Sequence, residues 1–309
     1  MASLKSWLKP ASYLVVAAVF FFLIRSLFQN WQGIDWNKIN FNPFYLAFSL
    51  VLAFTGLLIS IYLMTKILAS LREEVTYWQA LRIMGKSQLA KYLPGGVWMT
   101  ASRVYLAEQE KLSKPKVLLG TLVEQEYGFV IALVLSIFCL GFRGSLLAVD
   151  LTGFNLLFLL LAVVFLNPIS LTYLLKFGMK LARLDYPDWR FSFRLYFILL
   201  LGYSFCWILQ AVGFFFLAKS FYNLDYAWLK RFLGIYLFSW VLGFVAIFAP
   251  GGLGIREGSM ALFLKSYFPP GFAISLSLIG RVWITILELL LALLAFAKKE
   301  AKVYKQYEE

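Results

Sequence analysis

Two stretches of this chain carry the same punctuation. One is Tyr92-Leu93-Pro94-Gly95-Gly96-Val97-Trp98, followed by Arg103; the other is Phe248-Ala249-Pro250-Gly251-Gly252-Leu253-Gly254, followed by Arg256 and Glu257. Their prolines lie 156 residues apart in a chain of 309, about half its length. Proline removes a backbone donor, and paired glycines permit a sharp reversal. Each Pro-Gly-Gly therefore reads as the tip of a helical hairpin, one over residues 77–110 and one over 232–268.

Outward from these tips the sequence is dominated by apolar runs. Hydrophobic residues make up 61% of the chain and charged residues 15%, against about 25% charged in ordinary globular domains. A compact water-soluble domain cannot be covered with so few polar groups. A span needs roughly 20 apolar residues to cross a hydrocarbon core of about 30 Å. Runs read as spans fall at 13–28, the shortest, 44–68 and 117–142, and again at 151–175, 195–218 and 272–297. The first run follows Lys5 and Lys9 but has no small-residue cleavage site after it, so it reads as an uncleaved span rather than a signal peptide. Unbroken hydrophobicity without period-two alternation argues for helices over a barrel.

The expected fold is an all-α polytopic membrane protein built as an inverted repeat of two halves. Each half has three transmembrane helices and one re-entrant hairpin. Repeat 1 occupies 1–145 and repeat 2 occupies 146–309, with no soluble domain. Three crossings per half is odd, so the halves face opposite ways, as in many secondary transporters. The net charge of +13 then distributes as a topology signal. With both termini cytoplasmic, 19 lysines and arginines lie inside and 7 outside, while Arg103, Arg256 and Arg281 remain within the membrane, which satisfies the positive-inside rule. In the rival plan, Phe232–Ala249 crosses fully and the carboxy-terminal lysines fall outside.

Histidine is absent, and the two cysteines, Cys139 and Cys206, lie in apolar runs. This removes the usual general base and the common nucleophile and metal arrangements, so no cofactor is expected. Nucleic acid is not expected as a partner either. Ionisable groups inside a membrane are expensive and mark functional sites. The set here is Arg103, Glu124, Glu126, Arg256, Glu257, Arg281 and Glu288. Glu124 follows Pro94 by 30 residues and Arg281 follows Pro250 by 31, so the repeats put a carboxylate and a guanidinium at nearly equivalent points. Helix starts just after the breaks at Pro94, Gly95, Gly96 and at Pro250, Gly251, Gly252, Gly254 present unpaired N–H groups that favour anions. Together with the arginines they describe a positive cavity near the midplane, suited to a phospholipid headgroup or a polyprenyl phosphate. The plainer alternative is structural ion pairing, for example Glu257 with Arg281.

These residues also carry a family resemblance. Leu93-Pro94-Gly95-Gly96 with Arg103, Glu124, then Pro250-Gly251-Gly252-Leu253-Gly254-Ile255-Arg256-Glu257-Gly258 and Arg281, resemble the lysylphosphatidylglycerol synthase transmembrane-domain family. The likeness covers essentially the whole chain, and its second motif is the more specific. That family includes the lipid-flipping domain of the bacterial multiple peptide resistance factor. The resemblance implies an inner-membrane protein of the flippase type that moves an anionic or zwitterionic lipid. The soluble aminoacyl-transferase domain of the larger members has no counterpart in this sequence, so lysine transfer is not carried over. A lipid-modifying enzyme with Glu124 or Glu257 as base, and an accessory membrane protein, are the rival readings. Assembly into a homo-oligomer is left open.

Overall fold

The computed structural model describes residues 41–93, 97–140 and 192–297, with single helical positions at Phe21, Arg25, Phe28, Tyr173 and Lys176. The expected spans 13–28 and 151–175, apart from those positions, lie outside the described residues. So do Pro94, Gly95 and Gly96, and the carboxy-terminal lysines. The described elements are helical, with no β-strand among them. They are α1 (Pro43–Ser70), α2 (Tyr77–Ser87) continuing as a 3-10 turn over Gln88–Tyr92, α3 (Trp98–Gln109), α4 (Lys114–Leu140), α5 (Phe193–Phe221), α6 (Leu229–Val245), α7 (Ile255–Lys265) and α8 (Pro270–Ala297). A 3-10 turn at Tyr226–Trp228 leads into α6, and another at Pro250–Gly252 precedes α7.

Local chemistry sets the boundaries. Asn42 caps α1, its side chain accepting from Phe44 N at 3.0 Å, with Pro43 in the first turn. Thr76 and Gln79 form a reciprocal capping box at α2, which satisfies two otherwise unpaired donors. Ser192 caps α5 through Leu195 N at 3.2 Å.

Lengths separate two classes of helix. α1, α4, α5 and α8 have 27 to 29 residues, about 40 Å each and ample for a bilayer. α2, α3 and α7 have 11 or 12, only about 17 Å. The segment Tyr226–Val245 is a fifth stretch long and apolar enough to cross. The stretch leading to the second Pro-Gly-Gly is therefore longer than α2, which precedes the first. Five such helices among the described residues make this a multi-pass membrane protein. Outward-facing apolar stripes agree: Phe197, Leu201, Phe205 and Ile208 of α5 are all exposed, which water would not tolerate over such a width.

The packing is a set of antiparallel pairs. α1 lies along α5: Asn42 N donates to Ser220 O at 2.8 Å, and a Cβ on Gly213 would stand 2.9 Å from Ser49 O. Small residues allow this close approach where lipid supplies no hydrophobic drive between helices. α4 lies along α6, with the Phe129 and Phe244 rings 5.4 Å apart and Leu140 against Gly234. α8 lies along α2, with Gly85 against Leu291 and Ala295. Between these pairs sits an aromatic core in which Phe214, Phe215, Phe232 and Tyr236 are fully buried. Phe214 stacks on Tyr236 at 5.1 Å.

Candidate functional site at the second helix break

The 3-10 turn after α2 carries Lys91 and Tyr92 onto α8. The Lys91 ammonium pairs with Glu288 Oε1. The Tyr92 hydroxyl donates to Glu288 Oε2 at 2.8 Å and lies 3.4 Å from Thr285 Oγ1. One turn earlier on α8, Arg281 stands over the Tyr92 ring at 5.3 Å and donates to Gly251 O at 3.3 and 3.4 Å. The segment before the first break thus touches the second break directly. A Cβ on Gly251 would be 3.4 Å from Tyr92 Cδ1 and 3.5 Å from Lys91 Cγ.

The second break is built around α7. Gly251, Gly252 and Gly254 all have positive φ, at 58°, 68° and 84°. Glu257, in the first turn of α7, reaches back so that its Oε2 accepts from Gly254 N at 2.5 Å. Its Oε1 lies 3.4 Å from Arg281 Nε, close enough to pair electrostatically but without forming a hydrogen bond. Arg256 lies over the Tyr236 ring at 4.9 Å, a cation–π arrangement. It is buried, and no carboxylate among the described residues pairs with it. The cluster therefore joins three cations, Lys91, Arg256 and Arg281, to two carboxylates, Glu257 and Glu288.

A second cluster joins α2, α3 and α4. Arg103 of α3, 1% exposed, forms a two-pronged pair with Glu124 of α4, and its Nε donates to Ser87 Oγ at 3.3 Å. Beside it, Gln125 Nε2 donates to Thr100 Oγ1 at 3.0 Å. Glu126 belongs to neither cluster; its Oε1 is buried and has no hydrogen-bond partner.

The structure brings together Gly251, Arg256, Glu257, Arg281 and Glu288, and pairs Arg103 with Glu124. Pro250 and Gly252 are buried in the turn, and Gly254 opens α7. Pro94, Gly95 and Gly96 lie outside the described residues. Glu124 and Arg281 do not pair with each other; each ties a long helix to the short helix of its own half. Three site residues were not singled out from the sequence: Lys91 pairs with Glu288, and Tyr92 and Tyr236 carry the rings on which Arg281 and Arg256 rest. The available signal was position: Lys91 is a lone charge between Ala90 and Tyr92, immediately before a break, where an unpaired ammonium is costly. No three Cys, Asp or Glu side chains converge to hold a metal ion among the described residues.

Comparison with curated proteins returned no match. Residues 11–292 match the family described as the lysylphosphatidylglycerol synthase TM region. With nine-tenths of its length inside that match, and with both helix breaks and their charged partners within it, this chain belongs to the lysylphosphatidylglycerol synthase TM region family.

Proposed function

We propose that the chain is a lipid translocase of the inner membrane, with two inverted halves that enclose a headgroup path where their hairpin tips meet. The inverted arrangement draws support from exchanged partners. α4 of the first half pairs with α6 of the second, and α8 of the second pairs with α2 of the first, both antiparallel. The corresponding helices α1 and α5 run antiparallel to one another along the centre. The short helices α2, α3 and α7 are too short to cross alone, which favours re-entrant hairpins, with both termini on the cytoplasmic side.

The observation that carries the reading is Arg256. A buried guanidinium without a carboxylate, at the start of a helix and beside a second arginine, is suited to a phosphate. The cluster's single excess positive charge matches one phosphodiester. Glu257 and Glu288 hold Arg281 and Lys91 in place while the path is empty, and a headgroup amine could later take one of these carboxylates. Nothing in the site needs a covalent step, and facilitated or ion-linked movement fits it.

Reconstitution in liposomes with headgroup-labelled phospholipids tests this reading. Wild-type protein should move label between leaflets, and an Arg256→Ala/Arg281→Ala variant should lose most of that activity. Equal rates for the two proteins would refute the site. Lipid masses should stay unchanged, because a modifying enzyme would alter them.

A further inference from the structure

Two ion pairs fasten the α2–α3 region to long helices, and they are built differently. Arg103 is 1% exposed, grips Glu124 through two nitrogens and donates a third bond to Ser87. Lys91 meets one oxygen of Glu288 and keeps 22% of its side chain exposed. Its stem runs along the second break, where a Cβ on Gly251 would lie 3.5 Å from Lys91 Cγ. Arg256 and Arg281 both act on the Lys91 ammonium electrostatically, so Glu288 holds it among like charges. Glu288, for its part, does not depend on the lysine alone. The Tyr92 hydroxyl donates to its other oxygen at 2.8 Å, and Arg281 acts on it electrostatically. Breaking a buried pair is costly because the remaining charge is stranded. Here a hydroxyl and a guanidinium stay with the carboxylate, so this is the breakable pair of the two.

We infer that Lys91 is an exchangeable ligand, which leaves Glu288 for the phosphate of an incoming lipid and so joins Arg256 and Arg281 around it. The inference rests on the translocase reading and deepens it, by naming the cation that moves and the headgroup feature that moves it. Lysine suits this role better than arginine. Its ammonium is a point charge with three rotatable donors on a flexible stem, whereas a guanidinium binds as a rigid fork. Rotation about the outer bonds of the stem carries the ammonium to a new partner while its inner carbons stay beside Gly251. The lysine exchanges one anion for another and is paired before and after. A phosphate set among Lys91, Arg256 and Arg281 also relieves their mutual repulsion. Because Tyr92 still serves Glu288 after the exchange, the phosphate suffices and no headgroup amine is required.

The test uses the full chain and two variants. Lys91→Met/Glu288→Met removes the pair without stranding a charge and leaves the net charge of the cluster unchanged. Glu288→Gln removes only the anion that competes for Lys91. Binding is read by calorimetry in detergent, with dioctanoyl phosphatidylglycerol as the probe and dioctanoylglycerol as its phosphate-free match. Wild type should bind the phospholipid and not the diglyceride. The double variant should bind the phospholipid about tenfold more weakly, as expected for one lost charge-assisted contact, and Glu288→Gln several-fold more tightly. A merely structural pair would weaken binding in Glu288→Gln and leave the double variant unaffected. Equal affinity for wild type and the double variant, or equal binding of the two probes, overturns the exchange. In liposomes, lipid movement should fall with the affinity of the double variant. If both proteins move lipid at the same rate, the exchange fails and the translocase reading stands. If Lys91-dependent binding is found but wild type moves no lipid, the translocase reading fails and the phosphate contact stands.

Discussion

Lys91 and Glu288, 197 residues apart in the chain, form an ion pair that fastens the turn before the first helix break to the long helix α8. Tyr92 reinforces it from the same turn through Glu288 Oε2. Buried pairs are weak net stabilisers, but removing one partner strands the other, typically at a cost of 3–5 kcal/mol. Lys91 keeps 22% of its side chain exposed, so Glu288→Gln should cost about 2 kcal/mol, below that range. Thermal unfolding in detergent checks this. A Lys91→Met/Glu288→Met variant should recover most of the loss, since no charge is then left unpaired.

The pair formed by Arg103 and Glu124 supports a sharper expectation, because the guanidinium is almost wholly enclosed. Arg103→Met should destabilise the fold by about 3 kcal/mol, and Arg103→Met/Glu124→Leu by much less. The second half makes the same connection with the charges exchanged: Glu257 on the short helix and Arg281 on the long one. Swapping Arg103 with Glu124 should therefore be tolerated better than either single replacement, with Ser87 left unpartnered by the exchange. A double-mutant cycle read by thermal unfolding decides it.

The sequence made the long helices and the helix breaks readable for direct physical reasons. Hydrocarbon demands unbroken apolar runs, so α1, α5 and α8 fall within a few residues of their expected bounds. The α7 start after Pro250-Gly251-Gly252 is equally plain, because few other tripeptides force such a reversal. Which charges meet was not readable. Glu288 chooses Lys91 over the nearer Arg281 only because α2 and α8 run antiparallel at close range across Gly85. That packing is a tertiary fact with no local signature. α6 starts three residues before the expected Phe232, because Lys230 and Arg231 interrupt the apolar run at its start. There Arg231 rests on the Trp228 and Tyr267 rings and Lys230 on Phe138.

Gly251 and Gly252, adjacent in the second break, should differ when mutated. Both have left-handed φ, which costs an L-residue roughly 1 kcal/mol or more. At Gly251 the added Cβ would meet only ordinary contacts at 3.4 to 3.5 Å. At Gly252 it would lie 2.9 Å from Gly243 O and 3.0 Å from Gly243 Cα, backbone that cannot move aside. Gly251→Ala should cost about 1 kcal/mol, and Gly252→Ala at least ~3 kcal/mol, with loss of the α6–α7 junction. Comparing the unfolding temperatures of the two variants tests the ranking.

The junction between α1 and α4 should respond to acid. Glu73, in the loop after α1, accepts from Ser113 N and from the Lys116 ammonium, each at 2.8 Å, and so ties that loop to the start of α4. Burial works against this carboxylate. The Lys116 ammonium and the Ser113 N–H outweigh it, however, and hold its pKa below the ordinary value of 4.5. A depressed folded-state pKa means that the unfolded chain takes up the proton first. The stabilisation is therefore complete above about pH 4.5 and is lost as pH falls through the lower folded value. Glu73→Gln should flatten that part of the stability profile while leaving neutral-pH unfolding only slightly earlier, because the pair is partly solvated. If the variant keeps the wild-type acid limb, Glu73 is not the group that loosens this junction. The neighbouring Arg82–Glu110 pair, which clamps α2 to the end of α3 through two bonds of 2.5 Å, is then the next to replace.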